Sequence, residues 1–263
     1  MKKIMAILNL TPDSFFPGSR LIGPDGRFDT SEFVARVETA LAQGADIIDL
    51  GACSTRPGSQ PVSAEEEWAR LQPALELWRS HFRAVPLSVD TFRADVALRC
   101  AEYTDQLIVN DVAAGDERML SAVVSMGCGY VAMHHDTLSE QVSAVEQVNG
   151  WYDAFEKKAE AAGLRDWWFD PGFGFGKTLS QNWTILRHLE KLPHHRPILV
   201  GLSRKSMFHK LLRPAPEKPA TASKQHSDPA SRPETLLLTR LANRLALSGG
   251  ASIFRVHDPA EAF

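Results

Sequence analysis

Short apolar runs alternate with longer stretches of helical period along this chain. The runs are Ile4–Leu8, Ala45–Leu50, Val85–Val89, Gln106–Val109, Tyr130–Met133, Trp167–Phe169, Pro197–Val200 and Ser252–Val256. Between the first two, Phe33, Val34, Val37 and Leu41 fall at helical spacing within Ser31–Gln43. Ser63, with Glu66 three residues on, has the form of a capping box and predicts a helix over Ala64–His81. Further helices are predicted from about Phe92 and about Glu117. Strands buried on both faces read as short apolar runs, and their alternation with helices implies right-handed crossovers and a parallel sheet. Eight such units in 263 residues predict an α/β fold, a closed (β/α)8 TIM barrel in a single domain spanning 1–263. An open doubly wound sheet is the alternative.

The polar residues at the ends of these runs favour the barrel. Asn9 follows the first run, Thr55 and Arg56 the second, Asp90 the third, and Asn110 and Asp111 the fourth. His134 follows the fifth, Asp170 the sixth, and Arg204 and Lys205 the seventh, while Arg255 and His257 close the eighth. A barrel gathers all these points on its C-terminal rim, where barrel enzymes carry their active sites. An open sheet spreads them along an edge. Any one of them alone reads as a turn former or helix cap; together their chemistry converges.

Two segments depart from the pattern. Arg213–Pro233 holds Pro214, Pro216, Pro219, Pro229 and Pro233 without an apolar period, and reads as a mobile surface insertion. At the end, Asp258, Pro259 and Glu261 form a helix start, with Asp as N-cap, and the chain stops at Phe263. The eighth helix is therefore expected to be truncated or missing. That would leave an apolar groove beside the first and last strands, near Ile4, Ile7 or Ile253, in a shortened chain or one covered by a partner.

Composition narrows the function. A net charge of −3 supplies no cationic excess for a polyanion, which argues against nucleic acid. No apolar run approaches a membrane span of roughly 20 residues, and Ile4–Leu8 is too short for a secretory core. Cys53, Cys100 and Cys128 are three, with no C-x-x-C spacing, so a reducing, cytoplasmic compartment is expected.

The rim chemistry is mixed. Asp90, Asn110 and Asp170 offer the directional donors and acceptors that suit a flat, nitrogen-rich heterocycle. Lys205, Arg255 and His257 suit an anion, and Asn9 supplies a hard oxygen compatible with Mg2+. Together these suggest a heterocycle tethered to phosphate. The segment 171–178 nearly spells a P-loop, but Pro171 stands where its first glycine belongs; its glycines are expected to let the backbone approach a ligand. His134 and His135 are adjacent and so point opposite ways if extended, which argues against a catalytic zinc. Cys53 and Ser54 lack an evident partnered base, which argues against covalent catalysis.

Seven segments together resemble the dihydropteroate synthase family. They are Asn9–Phe15, Asp49–Gly58, Ser88–Thr91, Val109–Val112, Asp170–Lys177, Gly201–Ser206 and Arg255–Asp258, in family order. The resemblance implies a pterin-binding barrel that joins p-aminobenzoate to 7,8-dihydropterin-6-ylmethyl diphosphate in folate biosynthesis, releasing diphosphate. It implies that Asp90, Asn110, Asp170 and Lys205 hold the pterin, that Met133 and Phe175 wall its pocket, and that Arg255 stacks on the ring. Asn9 would bind Mg2+, and Asn9, Arg255 and His257 the diphosphate. Phe15, Thr55, Arg56, Pro57, Lys205 and Ser206 would shape the p-aminobenzoate site. The catalytic set is then Lys205, Asp90, Asp170, Arg255 and His257, and a homodimer acting on small molecules is expected.

Three departures from the family pattern stand out. Pro17 replaces an Asp that helps hold Mg2+ in many members, Cys53 stands where Glu is usual, and 213–233 is longer than usual. Two alternatives are a pterin-barrel methyltetrahydrofolate methyltransferase and a non-catalytic pterin-binding paralogue. The Ser203–Ser206 and Arg255–His257 segments argue against the first. Only the Pro17 and Cys53 departures support the second.

Overall fold

The computed structural model describes residues 2–10, 21, 28–53, 62–212 and 233–263. Its strands are β1 (Lys3–Asn9), β2 (Ile47–Gly51), β3 (Leu87–Asp90), β4 (Leu107–Asp111), β5 (Gly129–Met133), β6 (Trp167–Asp170), β7 (Leu199–Val200) and β8 (Ile253–Val256). The helices are α1 (Thr30–Ala42), α2 (Ala64–His81), α3 (Ala94–Cys100), α4 (Glu117–Met126), α5 (Ala144–Ala162), α6 (Leu179–Arg187), α7 (Ser206–Leu212) and α8 (Pro233–Ser248). The strands pair in parallel in the order β6-β5-β4-β3-β2-β1-β8-β7, and a bridge from Phe169 to Ile198 brings the two edges together. This is the (β/α)8 barrel that the alternation predicts, nearly closed.

Alternation along the strands separates two apolar cores. Met5, Ile47, Ile108, Val131, Leu199 and Ile253 form an inner plug, with Trp168 packed against it. The larger core lies between strands and helices. Side chains on a strand return to the same face every second residue. Two residues beyond plug positions stand Asp49, Asn110, Met133, Asp170 and Arg255. The plug is therefore the floor of the barrel mouth, and the same parity that buries it aims these residues inward above it.

Helix termini follow local chemistry, with two corrections. Ser63 Oγ accepts the Glu66 N–H at 3.1 Å, as predicted, but the return half of the box is missing. The Glu66 carboxylate instead pairs with Arg70, 2.5 Å away. The complete capping box opens α6, where Thr178 and Gln181 exchange both bonds. Of the insertion read at 213–233, residues 213–232 lie outside the described residues, and Pro233 is the first residue of α8.

After β8 the helix start read at Asp258–Glu261 forms a 3-10 turn, Pro259–Glu261. The expected groove is absent, however, because this chain fills it. The Phe263 ring meets that of Phe254 edge-on at 4.8 Å, and Ala262 is buried, its carbonyl accepting the Asn243 amide at 2.8 Å. Ala6, Leu8, Phe254 and Val256 are all buried in consequence. Ile253, named as a groove residue, faces the inner plug instead. Asp258 makes no capping bond; its carboxylate is taken by Arg204.

Candidate active site

One row of register partners crosses the barrel mouth: Asn9 beside Gly51, Gly51 beside Asp90, and Asp90 beside Asn110. A Cβ at Gly51 would touch both neighbours in this row, 3.4 Å from Asn9 Oδ1 and 3.6 Å from Asp90 Cβ, at ordinary van der Waals contact. Arg255 enters the row from β8. Its Nε donates to Asp49 Oδ2 at 2.7 Å and its Nη2 to Asp90 Oδ2 at 2.7 Å. Ser88 Oγ donates to the other Asp49 oxygen at 2.5 Å. Burial acts to lower the Arg255 pKa, yet Asp49 and Asp90 outweigh it and raise it, so the guanidinium is permanently charged. Burial pushes Asp90 up to about 7; Arg255 restrains the rise, and Asp49, Glu67 and Asp111 add to it. Arg255 is thus not the open anion fork that its motif suggests, because much of its donor set is spent on two carboxylates. The Asn110 amide is buried and makes no side-chain hydrogen bond within the described residues, which leaves it for recognition.

Asp170 closes the row on β6, beside its register partner Met133. Its Oδ1 accepts the Gly172 N–H at 2.7 Å. Burial raises its pKa, while that bond and the charges of Lys205, Lys177 and Arg255 pull the other way. Lys177 gives its three N–H donors to the carbonyls of His134, Gly172 and Phe175, at 3.1, 2.9 and 3.0 Å. Burial lowers it to about 8. The glycines here are required by the packing of one loop on another. Gly172 has φ +68, and a Cβ on it would sit 1.8 Å from the His134 carbonyl oxygen. Gly176, at φ +61, is crowded in the same way by the carbonyls of His135 and Asp136. These glycines seat one loop against the other. His134 is buried against Trp151, and burial lowers its pKa to about 4, so it stays neutral.

The cationic side comes from the loops after β7 and β8. Lys205 Nζ lies 4.5 Å over the Phe175 ring, which joins two predicted residues. Ser203 Oγ accepts the His257 backbone N–H at 3.2 Å and lies 3.0 Å from His257 Nδ1. Arg204 forks onto Asp258. Ser206 is exposed at the start of α7. Asn9, Asp90, Asn110, Met133, Asp170, Phe175, Lys205, Arg255 and His257 therefore all stand at strand ends or in the loops that follow, at one end of the barrel. Phe15, Thr55, Arg56 and Pro57 lie outside the described residues, as does Pro17.

Three contributors lie within the family-like segments without a role being read for them there. Asp49 and Ser88 anchor Arg255, and Lys177 ties the loop that carries Asp170 and Phe175. Asp49 had a signal: a carboxylate in an otherwise apolar strand, on the parity of Ile47 and Gly51.

The pterin-binding enzyme model matches residues 5–257. The chain belongs to that family, among the dihydropteroate synthases. A dihydropteroate synthase from Neisseria meningitidis serogroup C is 36% identical over 269 residues, covering 97% of this chain and 87% of its own length. The crystal structure of the Clostridium difficile synthase in the presence of pteroic acid superposes with a TM-score of 0.82 at 32% identity, over 99% of this chain and 92% of that one. The Xanthomonas albilineans synthase with 4-aminobenzoic acid gives 0.82 at 33% identity, over 99% and 89%.

Proposed function

We propose that this chain performs the synthase reaction with the division of labour set out here. The observation that carries it is the Arg255 guanidinium held between Asp49 and Asp90, beside an Asn110 amide that has no side-chain hydrogen bond among the described residues, with Asp170 and Lys205 across the mouth. Asp90, Asn110 and Asp170 bind the polar edge of a dihydropterin; Met133, Phe175 and the Arg255 plane wall its faces. His257, Lys205 and the remaining donor capacity of Arg255 face the diphosphate. Phe15, Thr55, Arg56, Pro57, Lys205 and Ser206 shape the p-aminobenzoate site. The bond between the pterin methylene carbon and the diphosphate oxygen breaks. Positive charge on that carbon delocalises into the pterin, where the carboxylates favour it, while the cations favour the departing anion. The aniline nitrogen forms the new C–N bond and sheds one proton to solvent. No protein nucleophile is required; positioning and electrostatics carry the rate.

Mg2+ fits this site in a limited way. The Asn9 amide has no side-chain hydrogen bond within the described residues and lies in the row with Asp90, but those residues contain no cluster of three His, Cys, Asp or Glu. Asn9 would be one hard oxygen ligand, with diphosphate and water completing the shell. When bound, the ion supplies positive charge to the leaving group.

The Asp90 environment yields a pH prediction. Its ionised form is the one that favours a cationic pterin, so kcat/KM for the pterin substrate is expected to rise through an apparent pKa near 7 that belongs to the Asp49–Arg255–Asp90 cluster as a whole. Asp90→Asn should remove that step and leave a low, flat profile. A wild-type profile flat from about pH 5 to about pH 8 would contradict the role given to Asp90.

A homodimer is proposed through α8. Leu237, Leu241 and Leu245 fall on one helical stripe and are 55%, 52% and 40% exposed. Such a stripe on a small protein marks an association surface. Light scattering should give twice the chain mass for wild type and the monomer mass for Leu241→Arg; a monomeric wild type would end the proposal. A cytoplasmic location is also proposed, supported by the free thiols of Cys100 and Cys128 and by the lack of any described helix long and apolar enough to cross a membrane. Cell fractionation tests it: recovery outside the cytoplasm overturns it.

A further inference from the structure

We propose that Arg204 and Asp258 are positioning residues: they latch the loop after β7 to the segment after β8, and so hold Ser203, Lys205 and His257 as one anion-binding face. The need for a latch lies in the sheet. β1 and β2 are register partners over five residues, from Met5 with Ile47 to Asn9 with Gly51, whereas β7 meets β8 over only Leu199 with Ile253 and Val200 with Phe254. The shortest strand thus carries the loop with Lys205.

Arg204 supplies what the strand pairing lacks. Its Nε donates to Asp258 Oδ2 at 2.9 Å and its Nη2 to Oδ1 at 2.7 Å, the parallel pair that a guanidinium makes best. Its backbone N–H donates to Thr239 Oγ1 on α8 at 3.2 Å. It does so at φ +56, a left-handed conformation that a residue with a side chain holds only where its surroundings over-determine it. The turn sends its two neighbours to different partners: Ser203 reaches His257, and Lys205 reaches the Phe175 ring. Asp258 directly follows His257. Each half of the ion pair is therefore one residue from a group that faces the anion.

Ser203 adds a finer control. Its hydroxyl oxygen accepts the His257 backbone N–H, and its own O–H points to Nδ1 when it donates there, which leaves the proton on Nε2.

The inference rests on the proposed placement of Lys205 and His257 at the anionic half of the substrates, and its test separates the two. Calorimetry with inorganic diphosphate, in the presence of Mg2+, is compared with calorimetry using uncharged 6-hydroxymethylpterin. Arg204→Met and Asp258→Asn are each expected to weaken diphosphate about tenfold and to lower kcat in parallel, with pterin affinity changing by less than about twofold. Their double variant should be no worse than either single one. Arg204→Lys should restore part of the loss, and with Asp258→Asn it carries the test where Arg204→Met does not fold. His257→Ala is the control. If it leaves diphosphate binding intact, the placement of the anion fails. If it weakens diphosphate while Arg204→Met and Asp258→Asn bind as wild type does, the latch is overturned. Equal weakening of both probes in the latch variants also overturns it, since that is general damage to the fold.

Discussion

Arg255→Met is expected to abolish measurable synthase activity and to cost about 3–5 kcal/mol of stability near pH 8, the usual penalty for removing one partner of a buried ion pair. Asp49 is fully buried and Asp90 largely so, and both spend an oxygen on this guanidinium. Without it two carboxylates face each other across the floor of the mouth. The loss should depend on pH in a set direction. The Asp90 carboxyl titrates near 7 in the folded chain even with Arg255 in place, above its ordinary value of 3.8. A carboxyl raised in this way contributes stability that is fully present below its unfolded pKa and is lost as pH rises through the folded one. Removing Arg255 raises the folded value further. The deficit should therefore be smallest near pH 4 and grow to beyond pH 7. Urea unfolding of wild type and variant at about pH 5 and about pH 8 measures it. Equal stability of the two proteins near pH 8 would show that the triad is not the buried centre described here.

Lys205→Ala and Asp170→Asn should each lower kcat about 10²–10³-fold while the fold survives, the scale of removing one preorganised polar contact to a transition state. Asp170 is fixed by the Gly172 N–H and faced by the charges of Lys205 and Lys177. Asn keeps its shape but not its charge, so the effect isolates the electrostatic part. Lys205 meets Phe175 through its ammonium, and its removal takes a cation from the mouth without opening the barrel core. Steady-state turnover at saturating substrates, with melting temperature as the check on folding, decides the matter. Near-wild-type turnover in either variant would remove that residue from the site.

Strand order and helix order were legible because burial on both faces leaves an apolar run that no loop imitates. The ends were less so. Asn9, Asp90, Asp111 and Asp170 read as loop residues but are the last residues of their strands, because a polar group at a barrel mouth does not interrupt strand pairing. Helix α8 was hidden behind the proline-rich stretch that precedes it. Asp258 shows the limit of local pattern: Asp-Pro-Ala-Glu has the composition of a helix start, yet an arginine from another loop takes the carboxylate. The same holds at Glu66, which Arg70 removes from its capping box. In the site, the motifs brought out the polar groups that the strand ends and following loops gather at the barrel mouth. Asp49, Ser88 and Lys177 stand at the ends of three of those segments, but nothing local in the sequence showed that their work is to hold other side chains in place. Contacts such as that of Asp49 with Arg255, 206 residues apart, have no local signature.

The most direct test of the account is diphosphate release from 7,8-dihydropterin-6-ylmethyl diphosphate with Mg2+, measured with and without p-aminobenzoate. The account predicts release that depends on p-aminobenzoate and matches dihydropteroate one for one. Binding of the pterin substrate with no p-aminobenzoate-dependent release would contradict it and mark the chain as a pterin-binding protein without the synthase reaction.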